Sequence, residues 1–232
     1  EIQSYVTRIG AAAMREQPID FETLRYTPLE IESSPVRCPS AQASRAMEEE
    51  ITAARAVGDT LGGEVAVAIH GVAPALGSYR GMMARLSKAA FSVNDVVSVS
   101  FGSACDVTRR RGSAVYDSAV LGAHGFAHTT NMLGGIEGGL TTGASVVMRV
   151  GVAPSASLRA PQKSIDLETL SDAESSSAAY SPCLVGGVAV AIEAEIAFAL
   201  ASAYQERFGG AAMSDIHSSY DAYMRRLRLA AR

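Results

Sequence analysis

Tryptophan is absent from the 232 residues, aromatic side chains make up 6% of them and charged side chains only 19%. With so few charges and a net charge of −4 at pH 7, the chain has no basic field, so nucleic acid is excluded as an expected partner. Cysteine is scarce as well. Cys38, Cys105 and Cys183 are odd in number, widely spaced and free of any CxxC or Cys/His pattern. That points away from a disulfide framework and a zinc site, no metal is expected, and a reducing cytoplasm suits the three thiols. No charged-then-apolar leader is visible, and the most apolar run, Cys183 to Ile192, is short and followed by Glu193 and Glu195. The chain therefore reads as soluble, with no membrane-spanning segment. Methionine is missing from the first position: Glu1 stands directly before the strand-like stretch Ile2 to Ile9, which reads as a fragment or a processed chain.

What is present is apolar and periodic. A hydrophobic content of 48% is enough for one sizeable core, and no linker or repeat divides residues 1–232, so a single domain is expected. Ser40 is placed to cap a helix whose apolar positions Ala43, Met47, Ile51 and Ala54 recur at helical spacing before Gly58 stops it. Val65, Val67 and Ile69 alternate with Ala66, Ala68 and His70, the pattern of a strand covered on both faces. Met82, Met83, Leu86, Ala90 and Val93 form a second helical stripe, Val97, Val99 and Phe101 a strand, and Val146 to Val152 another. A long Ala-rich helix is expected over Val188 to Phe208, ended by Gly209-Gly210. A last helix, capped by Ser214 or Asp215, carries Tyr220, Tyr223 and Leu227. The Ser-, Asp- and Glu-rich stretch from about 167 to 181 lacks periodicity and reads as an exposed, mobile loop.

Composition and spacing leave the chemistry open. The thirteen residues from Asn131 to Gly143 hold five glycines, which suits either backbone N–H groups approaching a phosphate or carboxylate or a tight turn requiring positive φ. The spacing matches neither a Walker A loop nor a dinucleotide fingerprint. His124 and His128 lie four apart but lack further metal ligands, Arg109-Arg110-Arg111 suits a solvated face as well as a polyanion, and no nucleophile with a base partner stands out.

Several longer strings are more specific. Ser34-Pro35-Val36-Arg37-Cys38-Pro39 resembles the SPVRCP signature of the chorismate synthases, and Gly58-Asp59-Thr60-Leu61-Gly62-Gly63 their GDxLGG turn. Gly71 to Ser78 resembles GVPxGLGS, Arg111-Gly112-Ser113 an RGS turn, Asn131 to Gly143 the NxxGGxxGGxxxG loop, and Pro161 to Leu167 the string PQKTVDL. The resemblance implies an α/β fold, a β-α-β sandwich incomplete at its N-terminus, usually assembled as a homotetramer. It also implies a carbon-oxygen lyase of the shikimate pathway and aromatic amino acid biosynthesis. Such an enzyme uses reduced FMN to eliminate phosphate from the anionic small molecule 5-enolpyruvylshikimate 3-phosphate, giving chorismate. Flavin-contacting positions carried over from the family are Asn94, Asp95, Gly138, Pro154, Ser155 and Ser157.

The chain also departs from that pattern. The family segment bearing two catalytic histidines and an RSSxRE flavin string has no counterpart, so no catalytic residue is assigned, and a separate N-terminal half is one way to restore it. The lysine opening the family's KPTxS string is Ala153, RHDPC reads Ala179-Tyr180-Ser181-Pro182-Cys183, EIGDGF reads Ser100 to Cys105, and a nearby histidine is Tyr116. These losses imply an impaired or repurposed lyase, with a non-catalytic scaffolding relative or a flavin-independent cyclase or lyase as alternatives. Self-association is expected from the apolar stripe on Val188 to Leu200, with the Gly-rich loop beside an interface.

Overall fold

The computed structural model describes residues 1–15, 26–77, 81–122, 125–175 and 177–230. In chain order the elements are β1 (Ile2–Ile9), β2 (Ala12–Ala13), α1 (Pro28–Glu32), α2 (Ala41–Val57), β3 (Gly63–Ile69), α3 (Met82–Phe91) and β4 (Val96–Phe101). Then come α4 (Ala104–Val107), the short hairpins β5 (Ala119–Gly122) with β6 (Gly125–His128) and β7 (Ile136–Glu137) with β8 (Leu140–Thr141), and β9 (Val146–Val152). A third hairpin, β10 (Gln162–Ile165) with β11 (Asp172–Ser175), precedes α5 (Val185–Phe208) and α6 (Met213–Ala230).

Five strands form one sheet in the order β2-β1-β3-β9-β4, antiparallel throughout. Because successive side chains of a strand point to opposite faces, the alternating valines divide the sheet cleanly. Val6, Val65, Val67, Met148 and Val150 meet Met82 and Leu86 of α3 and Ile192 and Ile196 of α5 in the main core. The opposite face of β1 and β3 carries Tyr5 and Ala66, which pack with Ile31 of α1 and the half-buried Met14 and Tyr26. Burial there pushes the Tyr5 phenol up to about 12, with the neighbouring Tyr26 adding to the rise. The strand at Val65 to Ile69 is thus covered on both faces, as its sequence implies, and the fold is the mixed α/β arrangement expected.

The ends of α2 follow the capping signals: the Ser40 hydroxyl accepts the Ala43 N–H at 3.3 Å, and Gly58 closes the helix in the left-handed region at φ 74°. Three expectations need correction. The Ala-rich helix starts at Val185 rather than Val188, because the fully buried Val185 and Ala189 hold the turn that contains Gly186 and Gly187. The last helix starts at Met213, with the Asp215 N–H already bonded to the Ala212 carbonyl at 3.1 Å; Ser214 and Asp215 lie in its first turn, not at its cap. The described residues of the stretch 167–181 are exposed or half-buried, but Asp172–Ser175 are a strand paired with Gln162–Ile165. Its turn is tied by the Asp166 carboxylate, which accepts the Glu168 and Thr169 N–H groups at 2.8 and 2.9 Å, bonds that hold this carboxyl below its ordinary value. With almost every residue of the hairpin exposed, burial imprints no alternation on its sequence.

Helix α5 is also, by length and composition alone, long and apolar enough to cross a membrane. One face of it packs on the sheet through Ala189, Ile192, Ile196 and Leu200, and Glu193 reaches β1, accepting the Ser4 N–H at 2.9 Å and the Ser4 hydroxyl at 2.6 Å. Its end is held by an aromatic cluster in which Phe208 lies 5.5 Å from Tyr220 and 5.6 Å from Tyr223 of α6.

Candidate functional site

Three chain segments meet around the turn Gly58–Gly63 that joins α2 to β3. The first is Asn94-Asp95 at the approach to β4, where Asp95 adopts φ 68° and its carbonyl accepts the Ala153 N–H at 2.7 Å. The second is Ala153 to Ala160, leaving β9. Its Ser155 carbonyl accepts the Thr60 hydroxyl at 2.7 Å, and the Gly58 carbonyl accepts the Arg159 and Ala160 N–H groups at 3.0 Å each. Glycine is required at the turn for space: a Cβ on Gly62 would stand 2.4 Å from the Val152 carbonyl oxygen, and one on Gly58 2.8 Å from the Ala160 nitrogen. The third segment is Ala179 to Cys183. The Tyr180 hydroxyl donates to the Asp59 carbonyl at 2.7 Å, the Leu61 N–H bonds the Pro182 carbonyl at 2.7 Å, and Leu61 and Cys183 form a parallel bridge.

Asn94, Asp95, Pro154, Ser155 and Ser157 are therefore brought to one junction. Asn94 and Pro154 are exposed there, while Asp95, Ser155 and Ser157 are half-buried. Gly138 is not part of it. It sits in the turn between β7 and β8, beyond the opposite end of the seven-residue strand β9, about 20 Å away at the usual rise of ~3.3 Å per residue.

The side chains at the junction are small and neutral where the family resemblance places charge: Ala153, Ala179 and Ser181. Backbone N–H groups and the hydroxyls of Ser155 and Ser157 remain as donors, and Ser155 already accepts the Ser157 N–H at 3.2 Å. Such a junction can hold an anion or a flat ring edge through neutral hydrogen bonds, but it does not fit an FMN phosphate gripped by a charge-assisted bond from position 153. Tyr180 is the residue that sequence reasoning missed. Given no role of its own by the sequence, it closes the junction against a residue 121 positions away, a distance no local pattern spans.

The remaining candidates fall elsewhere. The Gly-rich stretch Asn131 to Gly143 spends much of its bonding on itself and its neighbours. The Asp117 carboxylate accepts the Met132 and Leu133 N–H groups at 2.7 and 3.1 Å, and Gly134, at φ 69°, would place a Cβ 2.4 Å from the Gly102 nitrogen. At Gly138 a Cβ would meet nothing within 4 Å among the described residues, so the positive φ of 56° is what selects glycine there. His70 is buried with its ring Nδ1 2.8 Å from the Ser145 hydroxyl, His128 lies in β6, and His124 falls outside the described residues. Among the described residues no cluster of three His, Cys, Asp or Glu side chains is placed to hold a metal ion. Arg109, Arg110 and Arg111 are exposed, and Arg110 reaches Asp106 one turn away at 3.5 Å, in keeping with a solvated face. Cys38 and Cys183 are free thiols, and burial pushes both upward from the ordinary thiol value, away from nucleophilic character.

The family model for chorismate synthase matches residues 1–205. The chain belongs to the chorismate synthase family. The chorismate synthase of Rubrobacter xylanophilus is 38% identical over 233 residues that take in 99% of this chain and 59% of that protein, and the one of Desulforudis audaxviator is 38% identical, covering 98% and 59%. A solved structure described as a crystal structure of chorismate synthase superposes with a TM-score of 0.77 at 25% identity, taking in 99% of this chain and 64% of that one. The chain thus spans about three-fifths of the length of these relatives. Residues 1–205 include every string that carries the resemblance and the whole three-segment junction, whereas α6 lies beyond the family match.

Proposed function

We propose that the protein serves chorismate synthase chemistry, a carbon-oxygen lyase step in the cytoplasm that removes phosphate from 5-enolpyruvylshikimate 3-phosphate to give chorismate. The present residues supply the flavin-facing junction at Asn94, Asp95, Pro154, Ser155 and Ser157 in an attenuated form. The observation that carries this reading is the junction itself. Its turn glycines and cross-segment backbone bonds hold three distant segments together, as a ligand site requires, while its side chains at positions 153, 179 and 181 are neutral. Gly138, on the far side of β9, reaches a flavin only from another copy or another part of the assembly, which accords with a homo-oligomer whose Gly-rich loop lies beside an interface.

The neutral side chains at 153, 179 and 181 also favour a second reading, a non-catalytic relative that keeps the fold as a scaffold. Ala153→Lys separates the two. One charged hydrogen bond to a phosphate contributes about 1.5–3 kcal/mol. On the flavin reading the variant therefore tightens FMN binding by roughly one to two orders of magnitude in a fluorescence titration. No gain in FMN affinity in a variant of unchanged circular dichroism supports the scaffold.

A further inference from the structure

The loop that follows β3 is held from two sides. On one side it is bonded to β8: the Ala75 N–H bonds the Thr141 carbonyl at 2.7 Å, and the Thr141 N–H bonds the Leu76 carbonyl at 3.0 Å. The Thr141 hydroxyl adds two more bonds, accepting the Leu76 N–H at 2.8 Å and donating to the Ala73 carbonyl at 2.7 Å. On the other side the loop is bonded to the two C-terminal helices. The Tyr204 hydroxyl of α5 accepts the Ala73 N–H at 2.9 Å, and the Tyr223 hydroxyl of α6 donates to the Pro74 carbonyl at 3.1 Å. The aromatic cluster fixes both rings: Tyr204 lies 5.7 Å from Phe208 and 6.2 Å from Tyr220, and the Arg207 guanidinium stands 5.0 Å from the centre of the Tyr223 ring.

The loop between these two supports is strained. Ala75 adopts φ 59°, the left-handed region in which a Cβ crowds the neighbouring carbonyl. The GVPxGLGS string that the loop resembles has glycine at this position, which removes that crowding, and proline at the position of Ala73, which has no N–H to bond. Ala73 is 1% exposed, so its N–H needs a partner inside the fold, and Tyr204 supplies it. A strained backbone persists where its surroundings over-determine it, and here the bonds from β8, Tyr204 and Tyr223 do so.

We propose that Tyr204 and Tyr223 are positioning residues for the Gly-rich turn: they clamp the strained loop from Ala73 to Leu76, and the loop, through Thr141, sets where the β7–β8 turn and Gly138 stand. Tyr223 lies past residue 205, where the family match ends, so part of this support comes from outside the matched region. That the turn so placed meets a flavin rests on the proposed function; the coupling from the helices to the turn does not.

Amide hydrogen exchange on the full 232-residue chain tests it. Tyr204→Phe and Tyr223→Phe each delete one hydroxyl and keep the ring. Each is expected to speed exchange across residues 134–143 by roughly fivefold or more, the worth of one neutral hydrogen bond, while the β10–β11 hairpin exchanges as before. Tyr220→Phe, in the same aromatic cluster but not bonded to the loop, leaves residues 134–143 at the wild-type rate. Ala75→Gly relieves the strain that opens the loop, and added to Tyr223→Phe it brings exchange back toward the wild-type rate. Exchange at 134–143 that either hydroxyl deletion leaves unchanged, a rise spread over the whole chain, an equal rise in Tyr220→Phe, or no rescue by Ala75→Gly each overturns the proposal. None of these readouts involves flavin or turnover, so they stand apart from the test of the proposed function.

Discussion

The two ends of β9 are built differently. At the Val146 end, polar side chains are consumed by the protein's own backbone: the Thr141 hydroxyl accepts the Leu76 N–H at 2.8 Å and donates to the Ala73 carbonyl at 2.7 Å, and Asn131 donates to the Ser145 carbonyl at 2.8 Å. At the Val152 end the glycines of the 58–63 turn clamp the 153–160 loop by backbone bonds, but the half-buried Ala153 and the exposed Pro154 and Ala156 contribute no charge. One end keeps its side-chain hydrogen bonds because the fold depends on them. The other is held mainly by backbone bonds, with the Thr60 and Tyr180 hydroxyls adding bonds of their own, and its positions 153 and 156 make no side-chain hydrogen bond, so they can change at little cost to stability.

Substitutions can break this contrast. The largest effect is expected from Gly62→Ala, which drives a methyl group against the Val152 carbonyl. Destabilisation of about 3 kcal/mol or more, read from the denaturation midpoint, follows from backbone overpacking. Thr141→Val leaves a buried N–H and a buried carbonyl without their partner and costs about 2–3 kcal/mol on the same assay. Tyr180→Phe removes one hydroxyl bond from the junction and costs about 1 kcal/mol, with increased amide exchange in residues 179–183. Ala153→Lys, at a half-buried position from which a lysine stem can carry its charge to water, leaves the midpoint within about 0.5 kcal/mol. If it destabilised as strongly as Thr141→Val, the two ends of β9 would be equally bound to the fold and the contrast would fail.

Much of the architecture was legible because burial leaves a period in the chain. The alternation at Val65 to Ile69 and Val146 to Val152, the stripe from Met82 to Ala90 and the caps Ser40 and Gly58 all describe surfaces that the core requires. The β10–β11 hairpin left no such imprint, since turn geometry at Asp166 and backbone pairing hold it rather than an apolar face. The junction was legible only through family resemblance. Asp95 meets Ala153 because β4 and β9 pair in a register that no local spacing reveals, and Tyr180 meets Asp59 because Pro182 to Cys183 run beside Leu61. The same resemblance grouped Gly138 with those residues, although within one copy the fold separates them by the length of β9.

The central claim is that the junction proposed to face a flavin is retained as backbone and carries no charge at positions 153, 179 and 181. The most direct measurement is a fluorescence titration of the purified chain with FMN, alongside an absorbance spectrum of the preparation and an anaerobic chorismate assay with reduced FMN. The account predicts a colourless protein, no saturable flavin binding at micromolar concentration and no chorismate formed by the chain alone; stoichiometric flavin in the preparation, or turnover in the assay, would contradict it.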